Sequence, residues 1–208
     1  KARYRCEKIF RSLLCVALMI AALLPASAFA AKEPKVIRRA LIVGRSTKVS
    51  GPEFIADALP TVKPELKAVK LAFSKNRFAT KPAKITSEIM LNAGKEKLRK
   101  RIVKKFKAAT ENDISYFYFS GHGIYTRGQY YVIPCLGQAI TATELRSWLD
   151  PIPGKIVLIL NACFSGKAIG KSASDARGDF AQGFTDAFLN AGAGKKAAIG
   201  GEKYIVIT

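Results

Sequence analysis

The stretch KIVLILNA, residues 155–162, limits the possible folds of this chain more than any other segment. Ile156 to Leu160 are all large and aliphatic, which leaves no polar face for water. An unbroken apolar run of strand length reads as a β-strand covered on both sides, and such strands belong to parallel sheets lying between helices. Two further segments suit the same sheet. VIRRALIVG (36–44) is a short apolar run closed by glycine, and DISYFYFSG (113–121) is rich in aromatic residues that favour extended backbone.

Helical patterns separate these runs. Over 59–73, Leu66, Val69 and Phe73 share one face, with breaks expected near Pro60 and Pro64. AKITSEIML (83–91) fits a strand better than a helix, and GQYYVIP reads as a short strand or hairpin arm. In TATELRSWLD (141–150) a threonine stands where a helix cap is wanted, and Pro151 and Pro153 stop the helix. GKAIGKSASDARGD (166–179) has loop composition, FAQGFTDAFLNA (180–191) is helical, and KYIVIT is a last strand. No turn follows KYIVIT, so the last strand region is expected to be cut short. Strands alternating with helices predict an α/β domain with a mostly parallel sheet.

The first thirty residues stand apart. Lys1, Arg3, Arg5, Lys8 and Arg11 form a basic head, Leu13 to Leu24 are uncharged and apolar, and Ala28 and Ala30 give an A-x-A exit. This three-part pattern is that of a secretory signal peptide; the alternative is an uncleaved anchor, although the apolar run is short of the about 20 residues that span a bilayer. The expected division is a signal peptide over 1–30 and one domain over 31–208, in a secreted or periplasmic protein.

The whole chain carries a net charge of +20. Such a balance suits anionic partners such as a cell-wall polymer, a membrane surface or an acidic protein face, and export makes nucleic acid an unexpected one. The cations are densest over 94–110. There Leu98, Ile102, Val103 and Phe106 fall on one helical face, and Lys95, Arg99, Lys100, Lys104 and Lys107 stay mostly outside it. Either this face is simply solvated or it docks to a negative surface.

The only histidine, His122, follows YFYFSG and precedes Gly123. Cys163 follows KIVLILNA. In open parallel sheets, ligands bind beyond the carboxyl ends of strands, and both residues are expected there. If the two strands are neighbours, their centres lie about 5 Å apart and thiol and imidazole could face one another across a cleft, the arrangement of a nucleophile and its base. The amides of Gly123 and Cys163 are candidate donors to an oxyanion, and the glycines beside His122 would admit a peptide carbonyl. In an exported chain, a disulfide between Cys135 and Cys163 is the competing reading. One histidine and two cysteines make no usual closed zinc site, and no nucleotide-binding glycine motif is present, so no cofactor is expected.

YFYFSGHG (116–123) and VLILNACFSG (157–166), with YYVIP and ITATELRSWLD between them and RRALIVG (38–44) before them, resemble the caspase-like cysteine peptidases in their bacterial metacaspase-like form. The cysteine follows the histidine by 41 residues, near the about 50 seen in caspases. The resemblance implies a six-stranded, mostly parallel sheet and a cysteine endopeptidase acting on protein or peptide substrates, and the signal pattern of residues 1–30 would make it a secreted one. Cys163 would be the nucleophile and His122 the base and later the acid. It also implies self-cutting in the loop 166–179, at Lys167, Lys171 or Arg177, against plain flexibility of that loop. Some relatives are activated by calcium, but no calcium-ligand loop is seen here. Relatives that cut after Lys or Arg usually carry an acid two places before the cysteine. Here that place holds the neutral Asn161, with Asp150, Asp175 and Asp179 as other sources of charge. A non-catalytic binding module and a transpeptidase or ligase using the same dyad remain the alternatives.

Overall fold

The computed structural model describes residues 35–50, 55–75, 77–78, 81–82, 85–126, 129–135, 138–164, 182, 185–188 and 202–208. The segment 1–30 read as a signal peptide, and the loop 166–179 with Asp175 and Asp179, lie outside the described residues, as do the proposed cutting sites Lys167, Lys171 and Arg177.

Among the described residues, 185–188 are helical, and eleven strands and three helices have both ends defined. They are β1 (Arg38–Gly44), β2 (Val49–Ser50), β3 (Ile55–Ala56), α1 (Val62–Lys75), β4 (Arg77–Phe78), β5 (Lys81–Pro82), β6 (Ile85–Leu91) and α2 (Lys95–Phe106). Then come β7 (Ile114–Thr126), β8 (Gln129–Cys135), β9 (Gln138–Thr141), α3 (Ala142–Leu149), β10 (Lys155–Phe164) and β11 (Tyr204–Ile207). The main sheet runs β11-β10-β7-β1-β6, all parallel, with β8 paired antiparallel to the carboxyl end of β7 and β9 antiparallel to β8. It therefore has seven strands among the described residues rather than six. The caspase-like α/β reading holds, and the seven are five parallel strands and the two of the β8–β9 hairpin. The pairs β2–β3 and β4–β5 form two small separate ribbons.

Strand alternation divides the core between the two faces. On one face Leu41, Val43, Phe117, Phe119 and Leu158 pack under Leu98, Ile102 and Phe106 of α2 and Leu145 and Leu149 of α3. On the other, Ala40, Ile42, Tyr116, Tyr118 and Val157 meet Val62 and Leu66 of α1. Gly44 sets the approach of α1: a Cβ there would lie 2.6 Å from a methyl of Leu66 and 2.7 Å from one of Val62. The prolines do not break α1. Pro60 precedes it, and Pro64 sits in its first turn, where the missing N–H has no helical acceptor anyway. The expected cap of α3 is present, with Thr141 Oγ1 accepting from the Glu144 amide at 2.9 Å.

At the amino end of the strands, buried Asp113 ties β1 to β7. It accepts from the Ile37 amide at 2.8 Å, the Thr110 amide at 2.9 Å and the Arg39 guanidinium at 2.9 Å. Burial pushes this carboxyl upward, but Arg39 and the two amides outweigh it and hold the group below the usual carboxylate range.

Candidate active site

β7 and β10 are direct neighbours, and their register pairs His122 with Cys163. Paired positions on adjacent strands are separated by about 4.8 Å of backbone. By the two-residue alternation, positions 118, 120 and 122 of β7 and 159, 161 and 163 of β10 belong to the sheet face that carries α1. Cys163 is the penultimate residue of β10, as a strand-end position requires. His122 differs from expectation: β7 does not stop before it but runs four residues further, to Thr126. The β-prone Ile124 and Tyr125 continue the strand into a hairpin with β8, which outweighs the glycines. His122 lies where β7 changes partner. Pairing with β1 ends at Ser120, and pairing with β8 begins at His122.

The imidazole is 2% exposed and its Nε2 lies 2.7 Å from the main-chain carbonyl of Asp57, in the segment before α1. A carbonyl only accepts, so Nε2 donates, and in the neutral ring Nδ1 is then the acceptor nitrogen. Asp57 gives no sequence signal, because its backbone rather than its side chain is used. Of the two glycines beside His122, one has a packing role. A Cβ at Gly121 would sit 2.9 Å from the Phe119 ring and 3.1 Å from Cβ of Arg45, so this glycine is set by packing beneath the sheet. Gly123 lies opposite Phe164, one step past the His122–Cys163 pair.

Beside the pair is an acid that the sequence reading did not single out. Half-buried Glu65, in the first turn of α1, receives three hydrogen bonds. Its Oε1 accepts from the Tyr118 hydroxyl and from Asn161 Nδ2 at 2.8 Å, and its Oε2 accepts from Ser120 Oγ at 3.0 Å. No lysine or arginine pairs with it among the described residues. Burial first, then the hydrogen bond and charge of Glu65, push the Tyr118 phenol far above its ordinary value, so it stays a donor. Ser120 is buried, whereas Asn161 is exposed and gives the cluster an opening to solvent. Asn161 thus holds the carboxylate that the sequence at its own position lacks.

Asp150 does not serve this site. It caps the end of α3 before β10 starts, bonded to the Tyr204 hydroxyl at 2.5 Å and to Arg146 Nε at 3.3 Å. The length of β10 separates it from Cys163, on the order of 25 Å. Cys135 is also badly placed to bridge Cys163. Since β1 and then β8 occupy the edge of β7 away from β10, β8 is two strand spacings from β10, roughly 10 Å. A disulfide needs Cα atoms within about 7 Å. Among the described residues, no group of three His, Cys, Asp or Glu is placed to hold a metal ion, and no helix is long and apolar enough to cross a membrane.

A doubly covered parallel sheet with histidine and cysteine paired near its carboxyl edge defines a caspase-like protein. The caspase domain family model matches residues 37–201, and the chain belongs to that family of peptidases. The fold is similar to that of a Geobacter sulfurreducens protein of known crystal structure, with a TM-score of 0.50 and 20% identity over 83% of this chain and 71% of that one. A search of curated proteins finds no match.

Proposed function

We propose that this chain is an exported cysteine endopeptidase whose nucleophile is Cys163 and whose base is His122. The observation that carries the reading is the register that places these two residues opposite each other on neighbouring strands. The Asp57 carbonyl supports it by holding the proton on Nε2, which leaves Nδ1 to take the thiol proton. The thiolate adds to the peptide carbonyl, and the Gly123 and Cys163 amides steady the oxyanion. The C–N bond then breaks as the imidazolium gives its proton to the departing amine. Water, deprotonated by the same ring, cleaves the thioester and regenerates the thiol. Glu65, presented through Asn161, supplies negative charge beside the dyad and favours a lysine or arginine side chain next to the scissile bond. Export rests on the basic, apolar and small-residue pattern of residues 1–30.

The test is turnover on a peptide library. Cys163→Ala should abolish it, and His122→Ala should lower it about 10²- to 10⁴-fold. Undiminished cleavage by Cys163→Ala would show the assignment to be wrong. Amide formation with an added amine, in place of hydrolysis, would make the enzyme a transpeptidase.

A further inference from the structure

We infer that the outer face of α2 docks the domain on a bilayer containing anionic lipid. Over Lys95–Phe106 this helix carries seven lysines and arginines against one glutamate. Three of its four apolar residues, Leu98, Ile102 and Phe106, are buried, and Lys97, Arg99, Lys100 and Lys104 are exposed. The four residues Lys97, Lys100, Arg101 and Lys104 line one shallow recess of about 330 Å³. Nearby acids neutralise only part of this charge. Glu144 pairs with Lys95 at 2.7 Å and Glu88 with Arg101 at 3.0 Å, while Glu96 is shared at 3.6 Å by Arg99 and 4.0 Å by Lys100. Lys97 and Lys104 have no acidic partner among the described residues. The crowding reaches the sheet edge: burial, then the charges of Arg39, Arg101 and Lys70, outweigh Glu88 and lower the Lys105 ammonium below its ordinary value.

The apolar neighbours of these cations favour a lipid surface over a purely ionic polymer. Val103, in the same helix, is 56% exposed. With Lys95, Arg99, the acids Glu96 and Glu144 that pair with them, Pro151 and the partly buried Trp148, it lines a second recess, of about 500 Å³. Cations flanking an exposed aliphatic group and an indole match the bilayer interface, where phosphate headgroups meet hydrocarbon. A nucleic acid or wall polymer gains nothing from Val103. Docking would also leave the site open, since α2 and α3 cover the sheet face opposite to the one shared by α1 and His122.

The experiment is co-sedimentation of the full chain with vesicles of phosphatidylcholine alone and of phosphatidylcholine mixed with phosphatidylglycerol. Each arm is run at low and physiological salt. Reversing Lys97, Lys100 and Lys104 to Glu should weaken binding to the anionic vesicles at least about 100-fold, since three lysines each worth roughly five-fold at such a surface are lost and three repelled charges are added. Lys63, Lys67 and Lys75, exposed on α1, provide a control with the same net change, expected to lose less than about five-fold. The basic head and apolar run of residues 1–24 are identical in every arm, so they cancel. Val103→Ser should reduce binding without changing its salt dependence. Cys163→Ala should bind like the wild type, which separates docking from the proposed catalysis. Equal losses in the α1 control, or tighter binding to duplex DNA or wall polymer than to anionic vesicles, would overturn the inference. If the lysine-to-glutamate chain unfolds, the milder Lys97→Gln/Lys104→Gln pair must still lose about 25-fold or the inference fails.

Discussion

Replacing Glu65 by Gln removes one charge from the candidate site while keeping its size. The carboxylate now accepts from Tyr118, Asn161 and Ser120. Gln keeps one carbonyl acceptor for the Tyr118 and Asn161 donors, and the Ser120 hydroxyl can turn to accept from its amide. The cost to folding should therefore be about 1 kcal/mol. The charge matters more for substrate. A lysine or arginine held about 4 Å away gains about 4 kcal/mol at an effective dielectric of 20. Because Asn161 is exposed and water screens the cluster, about half of that should survive, or about 2 kcal/mol. This corresponds to roughly 30-fold in kcat/KM. Matched peptides differing only at the residue before the scissile bond, basic in one set and neutral in the other, measure it. The basic set should lose about 30-fold and the neutral set less than about three-fold. Equal losses in both sets would refute the reasoning, because Glu65 would then serve only to hold the fold.

Three further outcomes follow from the scaffold. Asp113→Asn should destabilise the domain by about 3 kcal/mol in chemical denaturation, since Arg39 is left without its buried partner. Because folding lowers the Asp113 carboxyl, its stabilisation is in place above the unfolded value near 4 and is lost as the pH falls through the folded one. The wild-type melting temperature should therefore fall on acidification in that range, and the Asn variant should lose this part of the fall. Gly44→Ala should cost about 1–3 kcal/mol, because the new methyl meets Val62 and Leu66 across the α1 seam. Thr141→Ala removes the cap of α3 and should cost about 1 kcal/mol, read from the same denaturation curves.

Much of the sheet was legible because its strands are buried on both faces. KIVLIL and ALIVG have no polar side to confuse the pattern, and β1 and β10 lie where their sequence suggests. His122 and Cys163 were legible as residue types at the ends of such runs. Their register was not, because strand order is decided by crossovers between segments far apart in sequence. Glu65 was hidden for a related reason. In α1 it looks like an ordinary acid in a first turn, and only the packing of that helix on β7 and β10 brings it to Ser120 and Asn161. Asp57 was invisible, since a main-chain carbonyl can belong to any residue type. The extension of β7 past His122 was missed because the two glycines looked like the end of a strand, whereas one of them answers to the Phe119 ring beneath it.

The pairing of sulfur and imidazole is tested most directly by the alkylation rate of Cys163, followed at neutral pH by peptide mass spectrometry. In the wild type, Cys163 should react with iodoacetamide faster than Cys135, and His122→Ala should slow it at least about ten-fold while leaving Cys135 unchanged. An unaltered rate at Cys163 in the His122 variant, or recovery of Cys163 joined to Cys135 as a disulfide, would contradict the dyad.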